Sequence, residues 1–370
     1  MITNWEEADE KINETIDFLE EGRKVSVNEE LLEIARARMK NKKVQDGLFM
    51  TQEDLRFATN YLVAKYRAKR LACDTLAEIG CSIGAQTMEF AKTCKKVIAM
   101  DIDKRKVGYA SLNFKKFDIN NVELICADGL KIDIKKADAI FCDTERAPEE
   151  KKRTIDALKP NVHELMKKHS AVTKNFCIEI PPQTRDIDID CEKEYVSING
   201  ELNRLNIYTG ELKSAKNSAV VLPSFDRVEG EPKETQLAST QALSYLYEID
   251  EAVAKAQLVD AMAVLLKAEI TLFKEDHRFL TSNEKIESPF FKSSFKTVTV
   301  ADNKDDAIEA LRKKKYGKVV LRQNLDPKMY WSERNSYERN LAGNKIAYLI
   351  ASPGYYVICE RISSPDPEIS

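Results

Sequence analysis

Four acidic residues recur at a regular rhythm in the first half of the chain: Glu78 in TLAEIG, Asp101 in KVIAMDID, Asp128 in VELICAD and Asp143 in DAIFCD. Each closes a short apolar run of the kind that forms buried strands. Carboxylates at the ends of successive parallel strands converge on one crevice, the place where open α/β sheets bind ligands. The run AEIGCSIGAQT adds Gly80 and Gly84. Glycines there permit a tight turn and a close approach of backbone to a ligand. The helix that opens beyond them offers free N–H groups to an anion. The spacing is G-x-x-x-G, so the dinucleotide fingerprint is incomplete. The geometry suits either a pyrophosphate or the carboxylate end of S-adenosyl-L-methionine.

On the second alternative each acid has a task. Glu78 is placed to receive the amino group of a methionine moiety or a bridging water. Asp101 ends the next strand, where a carboxylate accepts two hydrogen bonds from a ribose diol, and Ile102 follows it beside the same ligand. Asp128 stands where an adenine amino group is read. Ser82 is a turn residue that hydrogen-bonds locally or to the cofactor. Asp143 faces the methyl acceptor, which it orients or deprotonates, and Arg146 holds a phosphate or a base edge. The plain alternatives are a solvated strand end or helix N-cap for any single acid and a surface ion pair for Arg146. The segment from Gly80 to Gly84 also matches G-x-S-x-G, the elbow of α/β-hydrolases. That class needs several strands before the Ser and a late His. Here helices precede it, and the best-placed His is His277. A nucleophilic Cys142 or Cys177 lacks neighbours in sequence that would lower a thiol pKa.

The elements that must position these residues alternate. Short apolar strands are separated by helical stretches such as AQTMEFAKTC and KRKVGYASLNFKKF. That pattern predicts an α/β fold with a parallel, Rossmann-like sheet covered on both faces. Residues 1–70 read as an N-terminal helical region, with Leu55, Ala58, Leu62 and Tyr66 on one face of a single helix that starts at Thr51. EYVSING and RLNIYTG form a hairpin. Residues 226–240 are polar and read as a linker, followed by small α+β units over 241–298 and 299–363.

Composition bounds the rest. The 370 residues carry a formal net charge of −3, with 32% charged residues. That does not advertise a nucleic-acid binder, although a local basic face can sit on an acidic whole. Basic clusters lie at 66–70, 151–153, 167–168 and 312–315, with Tyr316, Tyr330 and Trp331 near the last as candidate stacking groups. The eight Cys and three His form no clustered metal-ligand pattern, so no metal is expected and reduced thiols in a cytoplasmic protein are. No apolar run approaches membrane-spanning length, and no signal peptide opens the chain.

The stretches AEIGCSIGAQTMEFA, VIAMDID and CADGL resemble the nucleotide-site motifs of class I methyltransferases. CEKEYVSINGELNRLNIYTGEL, YLYEIDEAVAKAQL and FLTSNEKIESPFFKSSF resemble, more particularly, a group of these enzymes with a ferredoxin-like unit and a C-terminal THUMP-like domain. The resemblance implies domains at 71–225 (methyltransferase), 241–298 (ferredoxin-like) and 299–363 (THUMP-like). It implies S-adenosyl-L-methionine as cofactor and RNA as substrate. A protein or small-molecule acceptor, or an RNA-associated module that binds the cofactor without turnover, are the alternatives. One departure is Thr144, where the group has a Pro after the acid. The acceptor atom and the oligomeric state are not legible.

Overall fold

The computed structural model describes residues 2, 4–146, 153–323 and 325–362, and for Arg146 the backbone alone. The chain divides into two compact units. The first is residues 1–196 with 204–216; the second is residues 197–203 with 217–370.

The first unit opens with helices α1 (Trp5–Glu20), α2 (Glu29–Met39), α3 (Gln52–Phe57) and α4 (Tyr61–Arg70). The alternation then runs β1 (Thr75–Ile79), α5 (Ala85–Ala91), β2 (Lys96–Asp101), α6 (Lys104–Lys116), β3 (Val122–Cys126) and β4 (Ala139–Asp143). It ends with β5 (Glu145–Arg146), β6 (Leu158–Lys159), α7 (Val162–His169), β7 (Phe176–Ile180), β8 (Glu192–Ile198) and β9 (Glu201–Tyr208). The sheet order in this unit is β8-β9-β7-β4-β1-β2-β3. The strands from β7 to β3 are parallel, and β9 pairs antiparallel with β7. This is the expected doubly wound α/β sheet. Its order reverses between β1 and β4, the point at which ligands enter such sheets.

Both sheet faces are covered, which is why β7 is buried throughout and β4 everywhere except Asp143. On one face α1, α2 and α6 enclose Ile12, Ile34, Phe49, Tyr109 and Phe114. On the other, Ala68, Leu71, Phe90, Phe141, Cys177 and Tyr208 pack together.

The single helix expected from Thr51 is two helices. Thr51 caps α3 through a capping box with Asp54, and α3 ends at Phe57. Asn60 then accepts from the Leu62 N–H and starts α4 afresh. The restart rotates the buried face of α4 onto Val63, Ala64, Arg67 and Ala68. Leu62 and Tyr66 are therefore not its core positions.

The second unit holds the antiparallel pair β10 (Asn217–Leu222) and β11 (Asp226–Gly230), covered by α8 (Glu251–Ala256) and α9 (Val259–Leu266). The stretch read as a linker thus begins with a strand. Only Val228 of β11 is buried, so no alternation was there to see. One eight-stranded sheet completes the unit. Its strands are β12 (Ser239–Thr240), β13 (Tyr245–Ile249), β14 (Thr271–Phe273), β15 (Phe279–Ser282), β16 (Phe291–Ala301), β17 (Tyr316–Leu321), β18 (Lys345–Ser352) and β19 (Tyr355–Arg361). Helices α10 (Lys304–Lys313) and α11 (Tyr330–Glu338) join them. Tyr316 is buried with its hydroxyl donating to Glu360 at 2.7 Å, so it is a packing residue. Trp331 is 64% exposed, with Tyr330 edge-on to it at 5.6 Å and the Arg334 guanidinium 5.3 Å from its ring centre. Among the described residues no helix is long and apolar enough to cross a membrane.

Candidate active site

The glycine turn after β1 is built as its residues require. Gly80 and Gly84 have φ of +85° and +81°, values that cost an L side chain strain. A Cβ on Gly84 would also meet the Phe114 ring at 2.5 Å, so helix α5 lies close against α6. A Cβ on Gly80 would meet the Asp143 carbonyl at 3.2 Å. The turn therefore presses against the end of β4. Ser82, itself at φ +50°, donates its N–H to the Asp101 carboxylate at 2.8 Å. The Gly80 and Cys81 N–H groups donate to the Met100 carbonyl at 2.8 and 3.0 Å. The turn is thus laced to the end of β2 on one side and to β4 on the other.

The strand-end acids differ in how they are held. Asp101 accepts from the Ser82 N–H through one oxygen and from the Asp103 N–H at 2.9 Å through the other, leaving a lone pair on each. Asp128 accepts from the Leu130 N–H at 3.0 Å and lies 3.4 Å from the exposed Lys131 ammonium. Its neighbour Ala127 donates to the Asp101 carbonyl at 3.0 Å, which joins the ends of β2 and β3. Ile102 turns outward, 71% exposed. Arg146 pairs through its backbone with Leu158; its side chain lies outside the described residues.

Glu78 is the anomaly. Its side chain is fully buried, and among the described residues neither carboxylate oxygen has a hydrogen-bond partner. Burial pushes its carboxyl up to about 8, against the weaker pull of the Thr87 hydroxyl and Arg67 and with help from Asp143 and Asp101. An uncompensated buried carboxyl is costly. With a folded pKa above the unfolded one, Glu78 stabilises the fold fully below pH 4.5, and that contribution drains away as pH rises through about 8. Replacement by Gln removes the titration. Between mildly acid and mildly alkaline pH the native first unit should lose on the order of 3 kcal/mol that the Glu78→Gln protein does not. Urea unfolding followed through Trp5, with Trp331→Phe in both proteins, reads the difference. Parallel pH profiles would show that Glu78 ionises normally.

Beside it lies a charged cluster that sequence reading missed. Arg67, fully buried on α4, donates to Gln86 at 2.8 Å and to Asn206 at 2.9 Å, and pairs with Glu179. Its guanidinium rests 4.5 Å from the centre of the Phe141 ring. Arg204 reaches the other Glu179 oxygen at 2.5 Å. Glu179 sits in register with Asp143 across β7 and β4. Burial raises the Glu179 carboxyl, but Arg67 and Arg204 outweigh it and hold Glu179 below its usual range. Asp143 gains less. Burial first, then the Glu179 charge, push it up to about 8. Lys43, donating to the Arg56 carbonyl at 2.8 Å, is driven down to about 8 by burial and by Arg204. Thr144 donates through Oγ1 to the Glu179 carbonyl at 2.7 Å, locking the two strand ends together. The only trace of this cluster in the sequence was a charge, Arg67, among the apolar positions of a helix. Cys142 and Cys177 are buried, and burial raises both thiols, Cys177 to about 12. Neither is a competent thiolate.

Residues 76–168 match a family described as a methyltransferase domain. Over 105 residues the chain is 31% identical to ribosomal RNA small subunit methyltransferase A of Wigglesworthia glossinidia brevipalpis, covering 28% of this chain and 37% of that one. Over 67 residues it is 39% identical to the probable enzyme of the same name from Methanosarcina acetivorans, covering 18% and 24%. The chain thus spans between about a quarter and somewhat over a third of the length of these relatives. Its fold as a whole is similar to a crystal structure described as a candidate methyltransferase from Porphyromonas gingivalis W83. The TM-score is 0.74 at 14% identity, over 98% of this chain and all of that one.

Proposed function

We propose that this chain is an S-adenosyl-L-methionine-dependent methyltransferase whose acceptor is structured RNA. The observation that carries the reading is the crevice at the switch point. There Glu78, Asp101 and Asp143 stand at the ends of β1, β2 and β4 around a laced glycine turn, and Glu78 is a buried carboxyl paired with no cation among the described residues. These residues fit the cofactor. Glu78 receives the methionine ammonium, which supplies the missing charge. The two remaining lone pairs of Asp101 accept the ribose diol. Asp128, at the end of β3, reads the adenine, with Ile102 covering it. Gly80, Ser82 and Gly84 let the backbone close on the methionine end. When bound, the cofactor supplies a methyl group on a sulfonium that leaves readily. Alignment of the acceptor then accounts for much of the acceleration.

Asp143 does the work on the acceptor side. Pushed up to about 8 by burial and the Glu179 charge, the Asp143 carboxyl in its ionised form is basic enough to accept a proton from the acceptor and release it to water. Glu179, Arg67 and Thr144 fix its strand, and Arg146 steadies a phosphate or a base edge.

The RNA reading draws on the names of the relatives and on exposed basic residues. Arg312, Lys313, Lys314 and Lys315 are all exposed at the end of α10, a run suited to a phosphate backbone. Residues 241–298 and 299–363 belong to this proposal as ferredoxin-like and THUMP-like modules sharing one sheet, and the cytoplasm as location. Asp143→Asn should keep S-adenosylhomocysteine affinity within about twofold and lower methyl transfer by about 10²–10⁴-fold. Radiolabelled cofactor incubated with fractionated cellular RNA and protein tests the acceptor. Label in RNA supports the proposal and label in protein overturns its RNA half. Binding without label in either fraction favours a cofactor-binding module without turnover.

A further inference from the structure

We infer that Arg153 and Arg185 form an oxyanion clamp for a backbone phosphate of the acceptor nucleic acid. The inference rests on the RNA reading above and deepens it. The two arginines lie on the connections that leave β4 and β7, the adjacent strands ending in Asp143 and Glu179. Thr154 and Arg185 make a parallel bridge. The Arg185 N–H donates to the Arg153 carbonyl at 2.7 Å, and Thr184 closes a turn onto Pro181 at 2.9 Å. The two connections are thereby stitched together with their guanidinium-bearing residues side by side.

A cleft of about 290 Å³ opens between them, lined by Arg153, Thr154, Arg185 and Asp186. Both arginines are exposed, and among the described residues no carboxylate pairs with either. Asp156 and Asp188 face His163 instead, at 3.6 and 3.2 Å. Two cations against the one acid, Asp186, leave the lining net positive. Guanidinium forks match phosphate oxygens geometrically, and two forks can share one tetrahedral anion. S-adenosylmethionine carries no phosphate. The clamp also lies on the β4–β7 side of the switch point, not on the β2–β3 side where Asp101 and Asp128 stand. Its ligand is therefore the acceptor's phosphodiester, held so that an adjacent nucleoside reaches Asp143.

The test uses the full chain with S-adenosylhomocysteine present and a short, unpaired, fluorescein-labelled RNA, read by anisotropy across a salt series. The Arg153→Gln/Arg185→Gln protein should bind this RNA about 10–30-fold more weakly at about 0.1 M salt, with a log–log salt slope shallower by about 1.4. Arg153→Lys/Arg185→Lys should recover most of the slope, because charge drives counterion release, but only part of the affinity. S-adenosylhomocysteine affinity and the melting temperature should not move. Unchanged RNA affinity and slope in the double Gln protein would overturn the clamp, leaving the cofactor site untouched. So would inorganic phosphate saturating the cleft of the native chain at constant ionic strength without displacing RNA, the mark of a site for a free anion. Loss of S-adenosylhomocysteine binding by the native chain would instead strike the methyltransferase reading.

Discussion

Asp101→Ala should weaken S-adenosylhomocysteine binding by about 100-fold or more, with little effect on the melting of the second unit. Two hydrogen bonds from a ribose diol to a carboxylate are charge-assisted, each worth about 1.5–3 kcal/mol, and alanine removes both. It also frees the N–H groups of Ser82 and Asp103, which the carboxylate now holds at 2.8 and 2.9 Å. Part of the loss will therefore come from a loosened glycine turn. Asp101→Asn separates the two effects. The amide keeps an oxygen for a backbone N–H but loses the charge, so it should bind with intermediate affinity. Affinity for S-adenosylhomocysteine that is unchanged in Asp101→Ala would remove the ribose assignment. Calorimetric titration measures all three proteins.

The second large effect is on stability. Arg67→Met should destabilise the first unit by about 3–5 kcal/mol, because it leaves the Glu179 carboxylate buried beside a shortened partner list. The hydrogen bonds to Gln86 and Asn206 go with it. Arg204 remains on the other Glu179 oxygen and keeps the loss toward the lower end. The double replacement Arg67→Met/Glu179→Leu removes both charges and should recover much of the loss, since a buried pair and an apolar pair of similar volume are often close in stability. Urea unfolding of the four proteins of this cycle gives the coupling. Additive effects would mean that the ion pair contributes nothing of its own.

The strand-end acids were legible because periodicity, apolar run length and turn residues are local properties. Each of Glu78, Asp101 and Asp143 needed only its own five or six neighbours to be placed at a strand end. The cluster behind them was not legible. Arg67, Glu179, Arg204 and Lys43 come from four distant segments, and only the packing of α4 on the sheet brings them together. The reading of α4 itself failed for a local reason: α3 stops at Phe57 and Asn60 starts the next helix, which shifts the buried face by enough to put an arginine in the core. β11 was missed because one buried residue, Val228, makes no pattern. Thr144 looked like the loss of a needed Pro. The structure gives it a different use, a hydrogen bond that fastens β4 to β7. The arginines at 153 and 185 lie 32 residues apart in the sequence, and only the bridge between Thr154 and Arg185 makes them a pair.

One equilibrium measurement bears on all of this. The full chain is titrated with S-adenosylhomocysteine, and separately with NAD and ATP, the ligands a pyrophosphate-binding glycine turn would prefer. A buried carboxyl awaiting an ammonium and a strand-end acid awaiting a diol require saturable, one-to-one binding of S-adenosylhomocysteine that neither nucleotide displaces. Tight binding of NAD or ATP with none of S-adenosylhomocysteine would contradict the account.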